Sequence, residues 1–327
     1  MNDVLSIKDL SVEFDTVRGS LKAVKDVTVH VGYGESVGIV GESGSGKSVL
    51  SRAAMGILLG RNVHRTGEVV FDGNDLSNLT PQALRAFWGT GMAMIFQDPM
   101  TALNPVRRIG AQISEALRIR LGMSKSDAMT KSAELLRLVR VPDAEATLKK
   151  FPFQLSGGMR QRVMIAIALA CDPKLLFADE PTTALDVTIQ AQILELLDDL
   201  RKSLNMSMVL VTHDLGVIAG HTDRVVVMYA GEVVESASTV DLFANMKMPY
   251  TEALFKSIPN LDTPTGTRLP TIEGRVPDPT QTQEGCLFAS RCAYVQEKCH
   301  NEHPPLISDG NDHLYRCWFP IQVRSPK

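Results

Sequence analysis

The chain has 327 residues, of which 44% are hydrophobic and 22% charged, and its formal net charge is −3. This length favours about two domains with a substantial core. The longest uncharged apolar stretch, residues 163–171, is far shorter than the roughly 20 residues that cross a bilayer, and the N-terminus has no basic, apolar signal region. We therefore expect a cytoplasmic protein that does not itself span a membrane. The charge balance also argues against binding to nucleic acid.

Alternating apolar and polar residues characterise the first part of the chain. Between residues 4 and 40, apolar side chains recur at every second position in short runs that comprise Leu5, Ile7, Leu10, Val12, Phe14, Val27, Val29 and Val31. This period is typical of antiparallel strands. The sequence therefore predicts an N-terminal antiparallel β layer.

A glycine-rich segment follows the apolar run 36–40 and precedes a predicted helix over 49–55. It has the pattern G-x-x-x-x-G-K-S, formed by Gly41, Glu42, Ser43, Gly44, Ser45, Gly46, Lys47 and Ser48. Between a strand and a helix, this pattern predicts a phosphate loop for a nucleoside triphosphate. Backbone N–H groups would surround the phosphates, Lys47 would reach the β- and γ-phosphates, and the Ser48 hydroxyl would bind Mg²⁺. The alternative is a flexible glycine-rich turn.

The next part of the chain, up to residue 228, first shows helical periodicity and then an alternation of predicted strands with helices. In residues 104–141 the apolar side chains Ile109, Ile113 and Leu117 recur at every fourth position, which predicts a mostly helical stretch. After it, the short apolar runs 174–178, 207–211 and 224–228 are predicted strands, and residues 189–204 are a predicted helix between the first two. This alternation predicts a parallel sheet that is covered on both faces.

Polar residues stand where two of these predicted strands end. Asp179 and Glu180 follow an apolar strand, and His213 follows another. Because ligands bind at the carboxyl ends of parallel strands, Asp179 would hold Mg²⁺, usually through water, and Glu180 would polarise the attacking water. His213 would hydrogen-bond the γ-phosphate. The alternatives are a solvated acid and a structural histidine.

A second glycine-rich helix start lies at residues 155–161. Ser156 can cap the following helix, and Gly157 and Gly158 expose backbone N–H groups, so this segment predicts a second anion-binding helix N-terminus. One nucleotide needs only one such site. We therefore expect this segment to act on the nucleotide of a neighbouring subunit, in a head-to-tail sandwich.

Together these motifs resemble those of an ATP-binding-cassette ATPase. The resemblance rests on the phosphate loop, segments 95–99, 155–158, 179–180 and 184–186, and His213. It implies an α/β fold with a RecA-like P-loop NTPase core. It also implies that Lys47, Gln97, Glu180 and His213 are catalytic, and that Gln97 joins Ser48 and Asp179 at Mg²⁺ and links nucleotide state to a transmembrane partner. Asp186 would communicate across the dimer, and Ser156, Gly157 and Gly158 would contact the opposite subunit's nucleotide.

Within this family the chain is similar to the dipeptide/oligopeptide importer branch. The narrower resemblance rests on residues 97–105, residues 178–188 and the extension from Pro249. It implies an ATPase that powers peptide import at the cytoplasmic face of the inner membrane. The implied partners are a second, related ATPase chain in a heterodimer, two permease subunits and, indirectly, an extracytoplasmic binding protein. The alternatives are a soluble, non-transport cassette ATPase that acts on nucleic acid or ribosomes, and a phosphate-loop kinase.

The cysteines lie mostly near the C-terminus. Cys171 is in an apolar helix and is expected to be a small buried hydrophobic residue, whereas the others follow the spacing C-x5-C-x6-C-x17-C: Cys286, Cys292, Cys299 and Cys317. Disulfides are disfavoured in a reducing compartment, and the closely spaced cysteine pairs of many zinc sites are lacking. The importer resemblance implies a [4Fe–4S] cluster; zinc and no metal are the alternatives. His300, His303 and His313 are expected to be solvated; the alternative is that one of them replaces a cysteine ligand.

These patterns predict three parts. Residues 1–258 would form the ATP-binding cassette, with a helical subdomain over about 99–162. Residues 259–285, rich in proline and threonine, would form a linker. Residues 286–327 would form a small cysteine-rich C-terminal extension.

Overall fold

A computed structural model describes residues 3–17, 19–58, 60–183, 185–258, 271–281, 283–310 and 312–321. The predicted linker over 259–285 falls partly outside the described residues, as does Ala184. Its described parts, residues 271–281 and 283–285, contain no helix or strand. No helix in the described ranges combines the length and apolar character needed to cross a membrane.

The secondary structure alternates strands and helices in the expected order. The strands are β1 Asp3–Thr16, β2 Gly19–Gly32, β3 Ser36–Val40, β4 Val63–Phe71, β5 Asn74–Asp75, β6 Met92–Ile95, β7 Leu175–Asp179, β8 Ser207–Thr212, β9 Arg224–Tyr229, β10 Glu232–Ser238, β11 Ile307–Ser308 and β12 Leu314–Tyr315. The helices are α1 Lys47–Ala54, α2 Pro81–Leu84, α3 Pro99–Ala102, α4 Ile109–Leu121, α5 Lys125–Leu138, α6 Ala144–Leu148, α7 Gly157–Ala168, α8 Val187–Ser203, α9 Leu215–Ile218, α10 Thr239–Ala244, α11 Pro249–Lys256 and α12 Glu297–Asn301. Short 3₁₀ helices cover Pro152–Gln154 and Ala289–Arg291.

The chain divides into two compact units. Unit 1 comprises the described parts of residues 1–4, 32–35 and 79–209, and unit 2 those of residues 5–31, 36–78 and 210–327. The division falls within β8, so each unit is assembled from segments that are distant in sequence.

Unit 2 contains the predicted antiparallel β layer, in the strand order β2-β1-β4-β5. Strand β1 pairs antiparallel with β4, and Leu5, Ile7, Leu10 and Val12 of β1 are buried, which confirms the period-two prediction. The register shifts between Lys8 and Ser11, so one extra residue in β1 separates the two alternating runs. Strand β4 also belongs to this layer, although it follows the glycine-rich segment. The sequence had predicted the layer only from residues before that segment.

A second sheet region of unit 2 carries the phosphate loop. Strand β3 pairs in parallel with β9, with Val40 opposite Val227, and both strands are almost entirely buried. Strand β9 pairs antiparallel with β10, and β10 in turn pairs antiparallel with β12 of the C-terminal tail. The tail is therefore hydrogen-bonded into the sheet region that supports the loop.

Unit 1 contains a parallel strand pair and most of the longer helices. Strands β6 and β7 pair in parallel, with Ile95 opposite Ala178. Helices α4 and α5 confirm the predicted helical stretch, since Ile109, Ile113 and Leu117 are all fully buried. Helix α4 ends at Gly122, whose φ of 65° lies in the left-handed region that favours glycine. The Ser124 hydroxyl then caps α5.

Candidate functional site

The phosphate loop of unit 2 has the conformation that its glycines require. Gly46 is the N-cap residue of α1, with a φ of 100°, and a Cβ atom at Gly46 would collide with the carbonyl oxygen of Ala23. A Cβ atom at Gly41 would likewise collide with the carbonyl oxygen of Met228. The backbone of both residues therefore approaches neighbouring strands so closely that only glycine fits.

Lys47 points back into the loop. Its Nζ atom donates to the carbonyl oxygens of Gly41 at 2.7 Å and Glu42 at 2.9 Å, and to the Ser45 hydroxyl at 3.3 Å. The residue is only 5% exposed. The loop therefore holds one buried ammonium group against its own carbonyl oxygens at the start of α1, which is the position from which a lysine reaches bound phosphates. Ser48 follows as the second residue of α1.

Gln97 and Glu180 come together in unit 1. The Gln97 amide donates to a carboxylate oxygen of Glu180 at 2.7 Å, and the Thr183 hydroxyl donates to the same oxygen at 2.8 Å. The parallel register explains this pairing. Ile95 of β6 lies opposite Ala178 of β7, and Gln97 and Glu180 each follow two residues later in the chain. Thr183 was not predicted to be a functional residue.

The end of β7 shows two further features of a functional site. Asp179 is fully buried. Glu180 has a φ of 47°, in the left-handed region that a residue other than glycine rarely adopts. Such strained residues concentrate at active sites. The end of β7 therefore buries the carboxylate of Asp179, and hydrogen bonds from Gln97 and Thr183 orient the carboxylate of Glu180.

The second glycine-rich segment begins α7 of unit 1. Ser156 is the N-cap residue, and its hydroxyl accepts a hydrogen bond from the backbone N–H of Met159 at 3.3 Å, which confirms the predicted cap. A Cβ atom at Gly158 would lie 3.0 Å from Ile189 of α8. Asp186 caps α8 by accepting from the backbone N–H of Ile189 at 3.0 Å. Ser156, Gly158 and Asp186 thus belong to the contact between two helix N-termini.

His213 belongs to unit 2, where it directly follows β8 and is exposed. Its position at the end of a buried strand agrees with the prediction. Of the predicted site residues, the phosphate loop and His213 lie in unit 2, and the other residues predicted to bind or act on nucleotide lie in unit 1.

The C-terminal cysteines line a common cavity in unit 2. Its walls are formed by Cys286, Cys292, Cys299 and Cys317 together with mostly apolar residues: Met248, Pro249, Phe288, Ala289, Tyr294, Pro304, Trp318 and Phe319. All four thiols are free. Burial raises the pKa of Cys286 and Cys292, and burial together with the neighbouring thiols raises the pKa of Cys317 to about 12. These three thiols are therefore protonated at neutral pH.

The predicted metal centre is not confirmed. No group of three or more His, Cys, Asp or Glu side chains within the described ranges is arranged to hold a metal ion. One tail histidine also differs from the prediction that it is solvated. His313 is buried and lies 2.8 Å from a carboxylate oxygen of Glu235, whereas His303 is exposed and lies 3.0 Å from a carboxylate oxygen of Glu232. By contrast, Cys171 is buried as predicted.

One ion pair near the phosphate loop was not predicted. The Arg291 guanidinium donates to both carboxylate oxygens of Glu42, at 2.6 and 2.9 Å. The sequence does show an arginine directly before both Cys292 and Cys317. No periodic pattern relates residue 291 to residue 42, however, so the ion pair could not be predicted from the sequence.

Comparisons with known proteins agree with this geometry. The profile of the family described as "ABC transporter" matches residues 24–183, and that described as "Oligopeptide/dipeptide transporter, C-terminal region" matches residues 234–299. The chain is 45% identical to the oligopeptide transport ATP-binding protein OppD of Bacillus subtilis, over 99% of this chain and 90% of that protein. It is 46% identical to the dipeptide transport ATP-binding protein DppD of Haemophilus influenzae, over 97% of this chain and 96% of that protein.

Solved structures show the same class of fold. The post-hydrolysis, dimeric ATP-binding cassette MJ0796, bound to ADP and Pi, matches with a TM-score of 0.65 and 28% identity, over 72% of this chain and 98% of that one. The fold and the phosphate loop thus define a P-loop ATPase of the ATP-binding-cassette class. The chain belongs to the oligopeptide/dipeptide branch of the ABC transporter ATP-binding family.

The predicted partner requires a correction. The resemblance to the importer branch implied a heterodimer with a second, related ATPase chain. The names of the relatives mention no second, related ATPase chain, and the dimeric neighbour is described by the name of one cassette, MJ0796. The heterodimer expectation is therefore wrong.

Proposed function

We propose that this chain is the ATP-hydrolysing subunit of a peptide importer and acts at the cytoplasmic face of the inner membrane. The observation that carries the proposal is the presence of both family regions in one chain, the ABC transporter region over 24–183 and the oligopeptide/dipeptide region over 234–299. The matched relatives are named for oligopeptide and dipeptide transport. The cassette would occupy residues 1–258, with its helical subdomain over about 99–162.

In the proposed reaction, unit 2 supplies the phosphate-binding groups. Lys47, now bonded to loop carbonyl oxygens, would transfer its hydrogen bonds to the β- and γ-phosphate oxygens, where its charge stabilises the transition state. Ser48, Asp179 and Gln97 would hold Mg²⁺, which would supply neutralisation of the negative charge on the phosphates. The remaining loop residues would donate backbone hydrogen bonds to the phosphates.

Glu180 is the proposed general base. Its carboxylate is oriented by hydrogen bonds from Gln97 and Thr183, and a carboxylate held in this way would accept the proton of the attacking water. His213 would hydrogen-bond the γ-phosphate, and Ser156, Gly157 and Gly158 would contact the nucleotide of a second cassette. Asp186, the cap of α8, would carry the communication between the cassettes.

We also propose that the four tail cysteines hold a [4Fe–4S] cluster. Support comes from the four free thiols that line one apolar cavity. Thiolates around a four-iron cluster lie farther apart than the ligands of a single ion, so the lack of a single-ion site among the described residues does not conflict with a cluster. The cluster would cross-link Cys286, Cys292, Cys299 and Cys317 within the cysteine-rich extension, residues 286–327.

The substitution Glu180→Gln tests the assignment. It removes the basic oxygen and keeps the size of the side chain, so ATP should still bind while hydrolysis falls by at least about 100-fold. Binding and phosphate release are measured on the purified protein. Glu195→Gln, on an exposed position of α8, is the matched control and should leave both unchanged.

The same variants test the transport role. In cells that lack the chromosomal copy of the gene, the wild-type chain and Glu195→Gln should restore uptake of labelled di- and oligopeptides, whereas Glu180→Gln should not. Hydrolysis within about twofold of wild type in Glu180→Gln would show that Glu180 is not the base. Normal peptide uptake in the deletion strain would show that peptides are the wrong substrate.

A further inference from the structure

Glu42, the second residue of the phosphate loop, is held through both its backbone and its side chain. Its backbone N–H donates to the Tyr250 hydroxyl at 2.8 Å, and its carbonyl oxygen accepts from Lys47 at 2.9 Å. Its carboxylate accepts two hydrogen bonds from Arg291. One loop residue thus contacts both the lysine proposed to bind phosphate and a guanidinium group from the C-terminal tail.

All five N–H donors of Arg291 have acceptors. Nε donates to the carbonyl oxygen of Glu273 at 2.9 Å. The two terminal nitrogens donate to Glu42, to the Tyr229 hydroxyl at 3.3 Å and to the carbonyl oxygen of Ile272 at 3.1 Å. Because the guanidinium fork is planar and fully bonded, its position is fixed, and it in turn fixes the carboxylate of Glu42.

The environment of this ion pair makes it costly to break. The side chain of Arg291 is only 2% exposed, whereas that of Glu42 is 27% exposed. The ring centroids of Tyr229 and Phe288 lie 5.8 and 5.9 Å from the guanidinium carbon of Arg291. Removal of Glu42 would leave a buried cation without its anionic partner, which is more destabilising than the loss of a surface pair.

The segment that presents Arg291 also carries tail cysteines. Arg291 is the last residue of the 3₁₀ helix Ala289–Arg291, and Cys292 follows it directly. Phe288 contacts the guanidinium with its ring and lines the cysteine cavity as well. A displacement of this segment would therefore move the guanidinium that holds Glu42.

We propose that Arg291 is a positioning residue for the phosphate loop, which it orders by holding Glu42, so that ATP affinity depends on the C-terminal tail. This inference rests on the proposed function of the loop as the ATP site. The hydrogen bonds that Arg291 donates within the described part of the chain end on neither Lys47 nor the phosphate-binding glycines. Its effect passes through the backbone of Glu42 to Lys47.

A double-mutant cycle on the full chain tests this inference. The variants are Glu42→Gln, Arg291→Met and their combination, and the readout is the dissociation constant of Mg·ATP from equilibrium titration, with the nucleotide-free melting temperature recorded alongside. Each single variant should bind ATP about tenfold more weakly, which corresponds to about 1.4 kcal/mol. The double variant should be no weaker than the weaker single variant, because both changes break one interaction. Arg291→Lys, which keeps the charge, should recover part of the affinity.

Arg316→Met is the matched control. Arg316 also precedes a cysteine, but it lies 3.4 Å from Glu232, and its hydrogen bonds among the described residues do not reach the loop. The substitution should lower the melting temperature without changing ATP affinity. The inference is overturned if Glu42→Gln and Arg291→Met both bind ATP within about twofold of wild type, or if the losses in the double variant multiply. Lys47→Ala tests the proposed ATP site separately from the role of Arg291. If this variant retains wild-type affinity for ATP, the proposed ATP site itself is wrong.

Discussion

Gly46 shows how a single residue determines whether the phosphate loop can form. Its φ of 100° and its contact with Ala23 both exclude a side chain, and the motif G-x-x-x-x-G-K-S already predicted a glycine there. The same is true of Lys47, because its role follows from local spacing. Arg291 and His313 could not be predicted in this way. Their partners, Glu42 and Glu235, are distant in sequence, and only the tertiary fold brings each pair together.

The substitution Gly46→Ala should therefore abolish ATP binding and destabilise unit 2. A Cβ atom would meet the backbone of Ala23, which cannot rotate away, in addition to the strain of about 1–3 kcal/mol for a residue at this φ. Denaturant unfolding and ATP titration measure the two effects.

Gly44→Ala is the control for that experiment. Gly44 has a φ of 82°, but no atom lies within 4 Å of the position that a Cβ atom would take, so alanine there adds only backbone strain. We expect a loss of about 1 kcal/mol in the free energy of unfolding, and a smaller one than for Gly46→Ala. Equal losses for the two variants would contradict the steric explanation.

Helices were the most predictable elements. Helices α4 and α5 lie where apolar spacing predicted a helical stretch, and α7 begins where Ser156 was predicted to cap it, because both signals are local in sequence. The register that brings Gln97 to Glu180 was less predictable. Two apolar strands can pair in several ways, and the register of β6 on β7 is set by the packing of both faces.

The caps of α5 and α7 allow a matched comparison. Ser124 and Ser156 each accept a hydrogen bond from a backbone N–H in the first turn of their helices. Replacement of either serine by alanine should lower the free energy of unfolding by about 1 kcal/mol. Only Ser156→Ala should also reduce ATP hydrolysis, because only Ser156 is proposed to contact nucleotide. Equal hydrolysis rates in the two variants would limit Ser156 to its capping role.

In the whole molecule, the tail is joined to the cassette by several independent contacts. Strand β12 pairs with β10, His313 pairs with buried Glu235, and Arg291 holds Glu42. The sequence predicted a separate extension after a linker, because composition changes near residue 259. Composition describes local flexibility, however, and carries no signal for the pairing of a short strand with a distant sheet edge.

The cysteine proposal is tested on the intact chain. Protein purified without oxygen should contain about four iron and four sulfide ions per chain and absorb visible light. Each of Cys286→Ser, Cys292→Ser, Cys299→Ser and Cys317→Ser should lower the iron content. Cys171→Ser, which changes a buried thiol outside the cavity, should not. Iron-free protein with bound zinc would favour the zinc alternative, and protein with neither metal would leave the cysteines as core residues.

The way unit 2 is assembled also affects how the chain folds during synthesis. Strand β3 and the phosphate loop are made long before β9, which pairs with β3, and before β10 and the tail strand β12, which continue that sheet region. Contacts of such large sequence separation form slowly, and apolar strands without partners expose surfaces that aggregate. The phosphate loop therefore lacks these neighbouring strands until β9, β10 and β12 have been synthesised. We expect the nascent chain to depend on chaperones until the last cysteine has emerged.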